Sequence, residues 1–240
     1  MTATAYPKDV IYPESDGQPI ADNTIQLRWI LTILGELDSQ FIEEPDVFVA
    51  GDLLWYPVEF HPEISAAPDV LVAFGRPKGD RGSYKQFEEG GIAPQVAFEI
   101  LSPSNRAAAM REKYKFYEKY GVEEYYIYDP ERGTLKGYLR SGGDLVEIPS
   151  MRGWVSPRLK IRFEMVQGDL EIQHPDGRQF AYHTEIVRQR DAAEAAAARS
   201  KAAAAKARIA AEKAEAGKRE SDAVAERLRA RLRALGIDDA

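Results

Sequence analysis

Three charged residues lie in stretches that are otherwise rich in apolar and aromatic residues, and together they could do chemistry. Asp69 begins the apolar run 69–74, and Glu99 lies within the apolar run 95–101. Lys113 follows on a stretch with helical periodicity. A carboxylate among such residues is costly unless it is paired, hydrogen-bonded or bound to a metal. Two carboxylates with a lysine nearby therefore suggest a site that binds a hard divalent cation and handles phosphate.

The alternation of side chains along a strand indicates how the two acids could meet. Asp69 falls on the same strand face as Leu71, and Glu99 falls on the same face as Ala97. If the two runs are neighbours in a sheet, both carboxylates can converge on one ion. A backbone carbonyl, that of Ile100, and water molecules would then complete an oxygen shell of the kind that Mg²⁺ or Mn²⁺ prefers.

Helical periodicity selects Lys113 among the lysines of its region. The helix expected over residues 105–120 has an inward stripe made of Met110, Lys113, Tyr114, Phe116, Tyr117 and Tyr120. Lys113 is the one charged member of that stripe, whereas Lys115 lies about 200° further round the helix and should face water. A lysine on a core face either extends to solvent or points at carboxylates. We expect Lys113 to point at Glu99 and Asp69.

Each candidate also has a structural interpretation. Asp69 could cap a turn after its preceding proline. Glu99 could form an edge-strand ion pair with Lys113, although acids are depleted in strand interiors. Glu36, near the end of the first expected helix, is either an additional acid of the site or a solvated surface residue.

Composition limits the classes of protein that this chain can belong to. The 240 residues are 44% hydrophobic and include no cysteine, which excludes disulfides, thiolate zinc sites and cysteine nucleophiles. His61, His174 and His183 are scattered. No apolar run approaches the roughly 20 residues of a membrane span, and the start has no signal-peptide pattern. The expectation is a cytoplasmic protein without a membrane partner.

The elements that must position the site follow from periodicity and turn residues. A helix is expected over 23–39, with Asp22 or Asn23 as its N-cap. Strand-like runs follow, and the Gly- and Lys-rich segment 75–91 is expected to stay outside the core. The expected strands and hairpin strands are 47–50 with an extension toward Trp55, 69–74, 95–101, 122–128, 134–140, 144–148 and 159–173.

The last part of the chain has a different character. Residues 192–214 contain 14 alanines, which predicts a long helix. We therefore expect an N-terminal arm over 1–20, a domain over 21–182 and a helical or coiled-coil tail over 183–240. The tail is interpreted as a solvated helix, with a binding surface as the alternative. Its short seam at coiled-coil spacing consists of Val224, Leu228, Leu232 and Leu235.

Charge is unevenly distributed between these parts. Residues 183–240 carry a net charge of +3, and residues 1–182 carry −10. An acidic body opposes non-specific binding to nucleic acid, because such binding depends on Lys and Arg neutralising phosphates.

The segment from Pro68 to Pro130 resembles the PD-(D/E)XK nuclease superfamily and, more closely, the Uma-two family of restriction-endonuclease-like proteins. The matching pieces are Pro68-Asp69-Val70, Glu99-Ile100-Leu101-Ser102-Pro103-Ser104, Lys113 with Tyr117, Gly121-Val122-Glu123-Glu124-Tyr125-Tyr126 and Asp129-Pro130. The resemblance implies a mixed α/β fold whose sheet is flanked by helices, with a metal on the acidic pair. The superfamily's usual lysine position is Leu101 here, so the resemblance implies that Lys113 on the helix replaces it.

Two functions are therefore expected from the sequence. The first is a Mg²⁺-dependent (or Mn²⁺-dependent) endonuclease acting on DNA, in which Asp69 and Glu99 hold the metal and Lys113 orients water or stabilises the transition state. The second is a catalytically inactive interaction module whose helical tail docks a protein partner or a second copy of the chain.

Overall fold

In the computed structural model, residues 10–105 and 107–234 are described. Within those residues there are three helices and eleven strands, in the mixed α/β class that the sequence predicts. Their bounds are α1 Thr24–Gln40, β1 Val47–Gly51, β2 Trp55–Tyr56, β3 Val70–Phe74, β4 Tyr84–Lys85, β5 Val96–Ile100, α2 Ala107–Tyr120, β6 Glu124–Asp129, β7 Thr134–Ser141, β8 Asp144–Glu147, β9 Trp154–Val155, β10 Arg162–Val166, β11 Asp169–Gln173 and α3 His183–Ala234.

Helices α1 and α2 begin or end where local chemistry dictates. The side chain of Asn23 accepts hydrogen bonds from the backbone N–H groups of Ile25 and Gln26, which makes it the N-cap of α1. Helix α2 stops before Gly121, whose φ of 106° is costly for residues with a Cβ. The Gly121 N–H donates to the Tyr117 carbonyl at 3.2 Å and closes the last turn.

A six-stranded mixed sheet in the order β1-β3-β5-β6-β7-β8 forms the centre of the fold. Strand β3 runs antiparallel to β5, and β5 runs parallel to β6. Alternation along the strands divides the core between the two sheet faces. Val70 and Phe98 pack in a cluster with α1, whereas Leu71 and Ala97 pack in a cluster with Tyr117 of α2.

The segment 75–91 corrects one prediction. It was expected to lie outside the core, but Tyr84 within it is 0% exposed. Tyr84 pairs with Trp55 in the parallel β2–β4 ladder, and its hydroxyl donates to the Ile92 carbonyl at 2.8 Å. Because glycines and lysines surround Tyr84 in the sequence, the segment looks too polar to contribute a core residue. The ring is nevertheless buried, and its hydroxyl is satisfied by one hydrogen bond to the backbone.

The C-terminal part contains the second sheet and the long helix. Strands β9, β10 and β11 form a three-stranded sheet in the order β11-β10-β9. The chain divides after His183 into two units, and the second contains all but the first residue of the 52-residue helix α3 that the alanine content predicts. Val224, Leu228 and Leu232 of the predicted seam are exposed. Leu235 and residues 1–9 of the predicted arm lie outside the described residues.

Among the described helices, none combines the length and apolarity that are needed to cross a bilayer.

Candidate active site

The register of the central sheet places the two candidate acids opposite each other. In the antiparallel β3–β5 pair, Val70 lies opposite Phe98. Continuing this register by one residue sets Asp69 opposite Glu99. Asp69 Oδ2 accepts a hydrogen bond from the Ile100 N–H at 2.6 Å, which fixes the carboxylate at the edge of the ladder.

Glu99 is held by two residues of α2. Lys113 Nζ lies 2.8 Å from both carboxylate oxygens of Glu99, and it also donates to the Ala67 carbonyl at 2.9 Å. The Tyr117 hydroxyl donates to Glu99 Oε1 at 2.6 Å. The Glu99 side chain is 3% exposed, whereas that of Lys113 is 31% exposed. The ion pair therefore has one buried end, at Glu99 in the sheet, and one solvent-accessible end, at Lys113.

The helical phase of α2 separates its lysines as the sequence predicts. Lys113 faces the sheet, whereas the side chain of Lys115 is 67% exposed and pairs with Glu112 at 2.9 Å. Lys119 is also exposed.

Asp69 and Lys113 open into a cavity of about 950 Å³. This first cavity is bounded by α2 and by the segments around Asp22, Asp52 and Ala67. Its charged residues are Asp16, Asp22, Asp52, Glu63, Asp69, Glu112, Lys113, Lys115 and Lys119. The six acids and three lysines give the wall a negative excess, which favours a cation.

Burial, followed by the neighbouring charge of Glu99, raises the pKa of Asp69 to about 8. The Lys113 ammonium and the Ile100 N–H act in the opposite direction. Burial lowers the pKa of Lys113, but Glu99 and Asp69 more than offset this effect and leave that pKa raised. The lysine therefore stays protonated and pairs with Glu99, whereas Asp69 keeps its proton up to a pH of about 8 unless a cation displaces it.

The donor set fits a hard divalent cation. Within residues 10–105 and 107–234, no residue donates a hydrogen bond to Asp69 Oδ1, which leaves that oxygen open to a ligand. The Ile100 carbonyl accepts from Gln26 Nε2 at 2.7 Å, and a carbonyl oxygen has a second lone pair. No group of three or more His, Cys, Asp and Glu side chains in the described chain is placed to hold a metal. The protein ligands would thus be two carboxylates and a carbonyl.

Among the described residues Glu36 contacts none of Asp69, Glu99 and Lys113, and its interpretation as a solvated surface residue is wrong. It is buried, so it is not a solvated surface residue, and it is absent from the wall of the first cavity. Its Oε2 lies 2.8 Å from His174 Nε2, and its Oε1 accepts from the Ala181 N–H at 2.8 Å.

Sequence reasoning missed several residues of the first cavity. Asp52 has a φ of 49° and donates its N–H to the Pro68 carbonyl at 3.2 Å. Burial, then Asp16, raises the pKa of Asp52. Asp22, considered only as a helix cap, accepts hydrogen bonds from the hydroxyls of Ser102 and Ser104. The serine-rich motif after β5 was the one available signal for this contact.

Comparison with known proteins gives a family match and similar solved structures. The model of the Uma2 family, described as "Putative restriction endonuclease", matches residues 5–159, more than half of the chain. Among solved structures, a "putative nuclease belonging to DUF820" from Anabaena variabilis is similar at 15% sequence identity. That similarity covers 54% of this chain and 70% of the other, with a TM-score of 0.39. No curated protein matches the chain.

Proposed function

The chain belongs to the Uma2 family, and from this premise we propose that it is a Mg²⁺- or Mn²⁺-dependent endonuclease acting on DNA. One observation carries the proposal. The carboxylate of the buried Glu99 is bound at both oxygens by Lys113, and Lys113 lines the first cavity together with Asp69. Strongly perturbed titratable groups that converge in a cleft are typical of catalytic sites.

Each residue has a role that follows from its contacts. Asp69, Glu99 and the Ile100 carbonyl would hold the ion. When bound, a divalent ion supplies an acidified water ligand and neutralises charge on a phosphodiester. The Ile100 N–H orients Asp69, and the Tyr117 hydroxyl orients Glu99.

Lys113 provides the fixed positive charge of the site. Its ammonium is held at the cavity wall by Glu99 and the Ala67 carbonyl. Its three N–H groups are directed at Glu99 and Ala67, so the ammonium acts on a phosphate oxygen or the attacking water as a nearby fixed charge. Because the ammonium is already in place, it stabilises developing negative charge without reorganising during the reaction.

A metal-titrated cleavage assay on single-stranded DNA, duplex DNA and RNA tests the proposal. We expect cleavage of DNA with Mg²⁺ or Mn²⁺ and none with Ca²⁺, whose coordination is looser. Lys113→Ala should reduce the rate by at least about 100-fold, the size of effect that one preorganised donor gives. Lys115→Ala is the matched control, because this lysine of the same cavity pairs with Glu112 instead of Glu99, and it should cleave like the unchanged protein.

Two results would count against this function. Equal losses at Lys113 and Lys115 would show that the inward lysine has no special part. Failure to cut any substrate with any metal would favour the second candidate, a non-catalytic interaction module. The observation that supports this second candidate is the exposed seam of α3, defined within the described chain by Val224, Leu228 and Leu232. A protein partner or a second copy of the chain could dock there.

A further inference from the structure

We propose that a second cavity, on the other side of the N-terminal half of α2, binds a flanking nucleotide of the DNA strand that is cut in the first cavity. This inference rests on the proposed function. The second cavity has a volume of about 480 Å³. Asn105 lines both cavities, so they adjoin at the beginning of α2.

Two cationic side chains at the second cavity have no partner among residues 10–105 and 107–234. Arg111 and Lys136 both line it. Neither side chain forms a hydrogen bond or an ion pair with any residue of the described chain. By contrast, Arg132 at the same cavity lies 3.7 Å from Asp129. In a body with a net charge of −10, unpaired cations that converge on a cavity favour a bound anion.

The charge balance distinguishes the two cavities. The second is lined by three cations and two acids, namely Arg111, Arg132, Lys136, Asp129 and Glu131. The first has a negative excess that suits a metal ion but repels phosphates that flank the scissile bond. A flanking phosphate is therefore better accommodated in the second cavity, where Arg111 and Lys136 can neutralise it.

The remaining wall of the second cavity suits a base rather than a small inorganic anion. Tyr114 and Tyr138 line it, with ring centroids 5.1 Å apart in an edge-to-face arrangement. The Tyr114 hydroxyl donates to the Leu145 carbonyl, which holds this ring in position. Aromatic faces of this kind stack on bases without sequence preference. One nucleotide could thus place its phosphate against Arg111 and Lys136 and its base against the tyrosine rings of the same cavity.

The distance between the two cavities predicts a dependence on substrate length. Lys113 and Arg111 lie on different faces of α2, and a helix with its side chains is about 10 Å across. A DNA strand advances about 3.4 Å per nucleotide along a duplex, so about three nucleotide steps span the helix. A dinucleotide could occupy the first cavity alone, whereas a longer strand could reach both.

The test compares three alanine variants of exposed cations. Arg111→Ala and Lys136→Ala alter the second cavity, and Arg152→Ala removes an exposed cation that lines neither cavity. The first measurement is the binding of labelled single-stranded and duplex oligonucleotides in Ca²⁺ at several salt concentrations. We expect the logarithmic salt dependence to weaken by up to about 0.7 for each lost phosphate contact on a single strand. Arg152→Ala should leave it unchanged.

The second measurement is cleavage in Mg²⁺, which separates this inference from the function on which it rests. Arg111→Ala and Lys136→Ala should raise KM for the longer oligonucleotide and leave cleavage of a dinucleotide phosphodiester unchanged. If the unchanged protein cleaves both substrates and all three variants behave alike, the second cavity does not bind DNA. If the unchanged protein cleaves nothing but Arg111→Ala and Lys136→Ala still lose oligonucleotide binding, the catalytic proposal fails while the DNA-binding surface stands.

Discussion

Two glutamates of this protein are both buried against a basic side chain, but they differ in their surroundings. Glu99 is 3% exposed and Glu36 is 7% exposed, and each contacts a basic side chain at 2.8 Å. The basic partner of Glu99 is Lys113, which reaches the wall of an open cavity. The partner of Glu36 is His174, which is itself buried.

The difference teaches that burial of an acid does not by itself mark a catalytic group. Both oxygens of Glu36 have partners inside the protein, and His174 Nδ1 lies 2.9 Å from Gln40 Oε1. This network joins α1 to the end of β11 and to the segment before α3 that includes Ala181. Buried polar groups that are fully hydrogen-bonded in this way stabilise one arrangement of neighbouring elements.

The largest expected effect is the loss of cleavage in Glu99→Gln. This substitution keeps the size of the side chain but removes a negative charge from the proposed metal site, so cleavage should fall to background. Circular dichroism and a metal-titrated cleavage assay would measure fold and activity together. Retention of activity in a folded Glu99→Gln protein would remove the distinction between the two glutamates.

Glu36→Gln should show the opposite pattern. We expect wild-type cleavage but a free energy of unfolding lowered by about 1–3 kcal/mol, because His174 loses its carboxylate partner in a buried position. Denaturant unfolding measures the loss, and the cleavage assay provides the control. A Glu36→Gln protein that is fully stable but inactive would place Glu36 in the reaction, contrary to its position away from the first cavity.

These two glutamates also show what the sequence could predict. Glu99, Lys113 and Asp69 were recoverable because strand alternation, helical phase and a short separation along the chain determine their relation. The contact between Glu36 and His174 was not recoverable, since 138 residues separate them and no local pattern encodes the packing of β11 on α1. Long-range polar contacts of this kind depend on the assembled fold.

The same limit applies to the rest of the fold. The central strands, α1, α2 and the alanine-rich helix follow from local periodicity. The burial of Tyr84 could not be predicted, because one buried ring in a polar loop leaves no periodic signal. The position of Asp52 in the cavity could not be predicted either. Its left-handed backbone belongs to an irregular turn, and the place of that turn near Asp69 depends on strand pairing.

The pH dependence of stability should reveal the protonation of Asp69 in the folded protein. The pKa of Asp69 rises from 3.8 to about 8 in the folded protein. Between these values the folded state binds more protons than the unfolded state, so stability should fall as the pH rises through this range. Melting temperatures in EDTA would measure this fall.

Two comparisons check whether the titration of Asp69 causes this fall in stability. Mg²⁺ binds the ionised carboxylates and should raise the melting temperature more at pH 8 than at pH 5. Asp69→Asn should flatten the pH dependence without metal, whereas Glu36→Gln should not. If Asp69→Asn keeps the same slope, the falling stability has another origin.

The smallest effect should come from removing the long helix. Almost all described side chains of α3 from Arg190 onward are exposed, so residues 1–182 alone should melt close to the temperature of the full chain. Self-association through the exposed seam should be weak and dependent on concentration, because short coiled coils are marginal in water. Sedimentation and thermal melting of both proteins measure these two properties.

A slightly shorter fragment, residues 1–178, tests whether the segment before α3 stabilises the Glu36 network. Residues 1–178 lack Ala181, whose N–H donates to Glu36, and Phe180, whose ring centroid lies 4.5 Å from that of His174. Cutting there opens the Glu36 network to solvent and should lower the melting temperature, although the added deletion is only four residues. If residues 1–182 are destabilised as much as residues 1–178, stability depends on α3 itself, and the loss cannot be assigned to the network that Glu36 forms with Ala181.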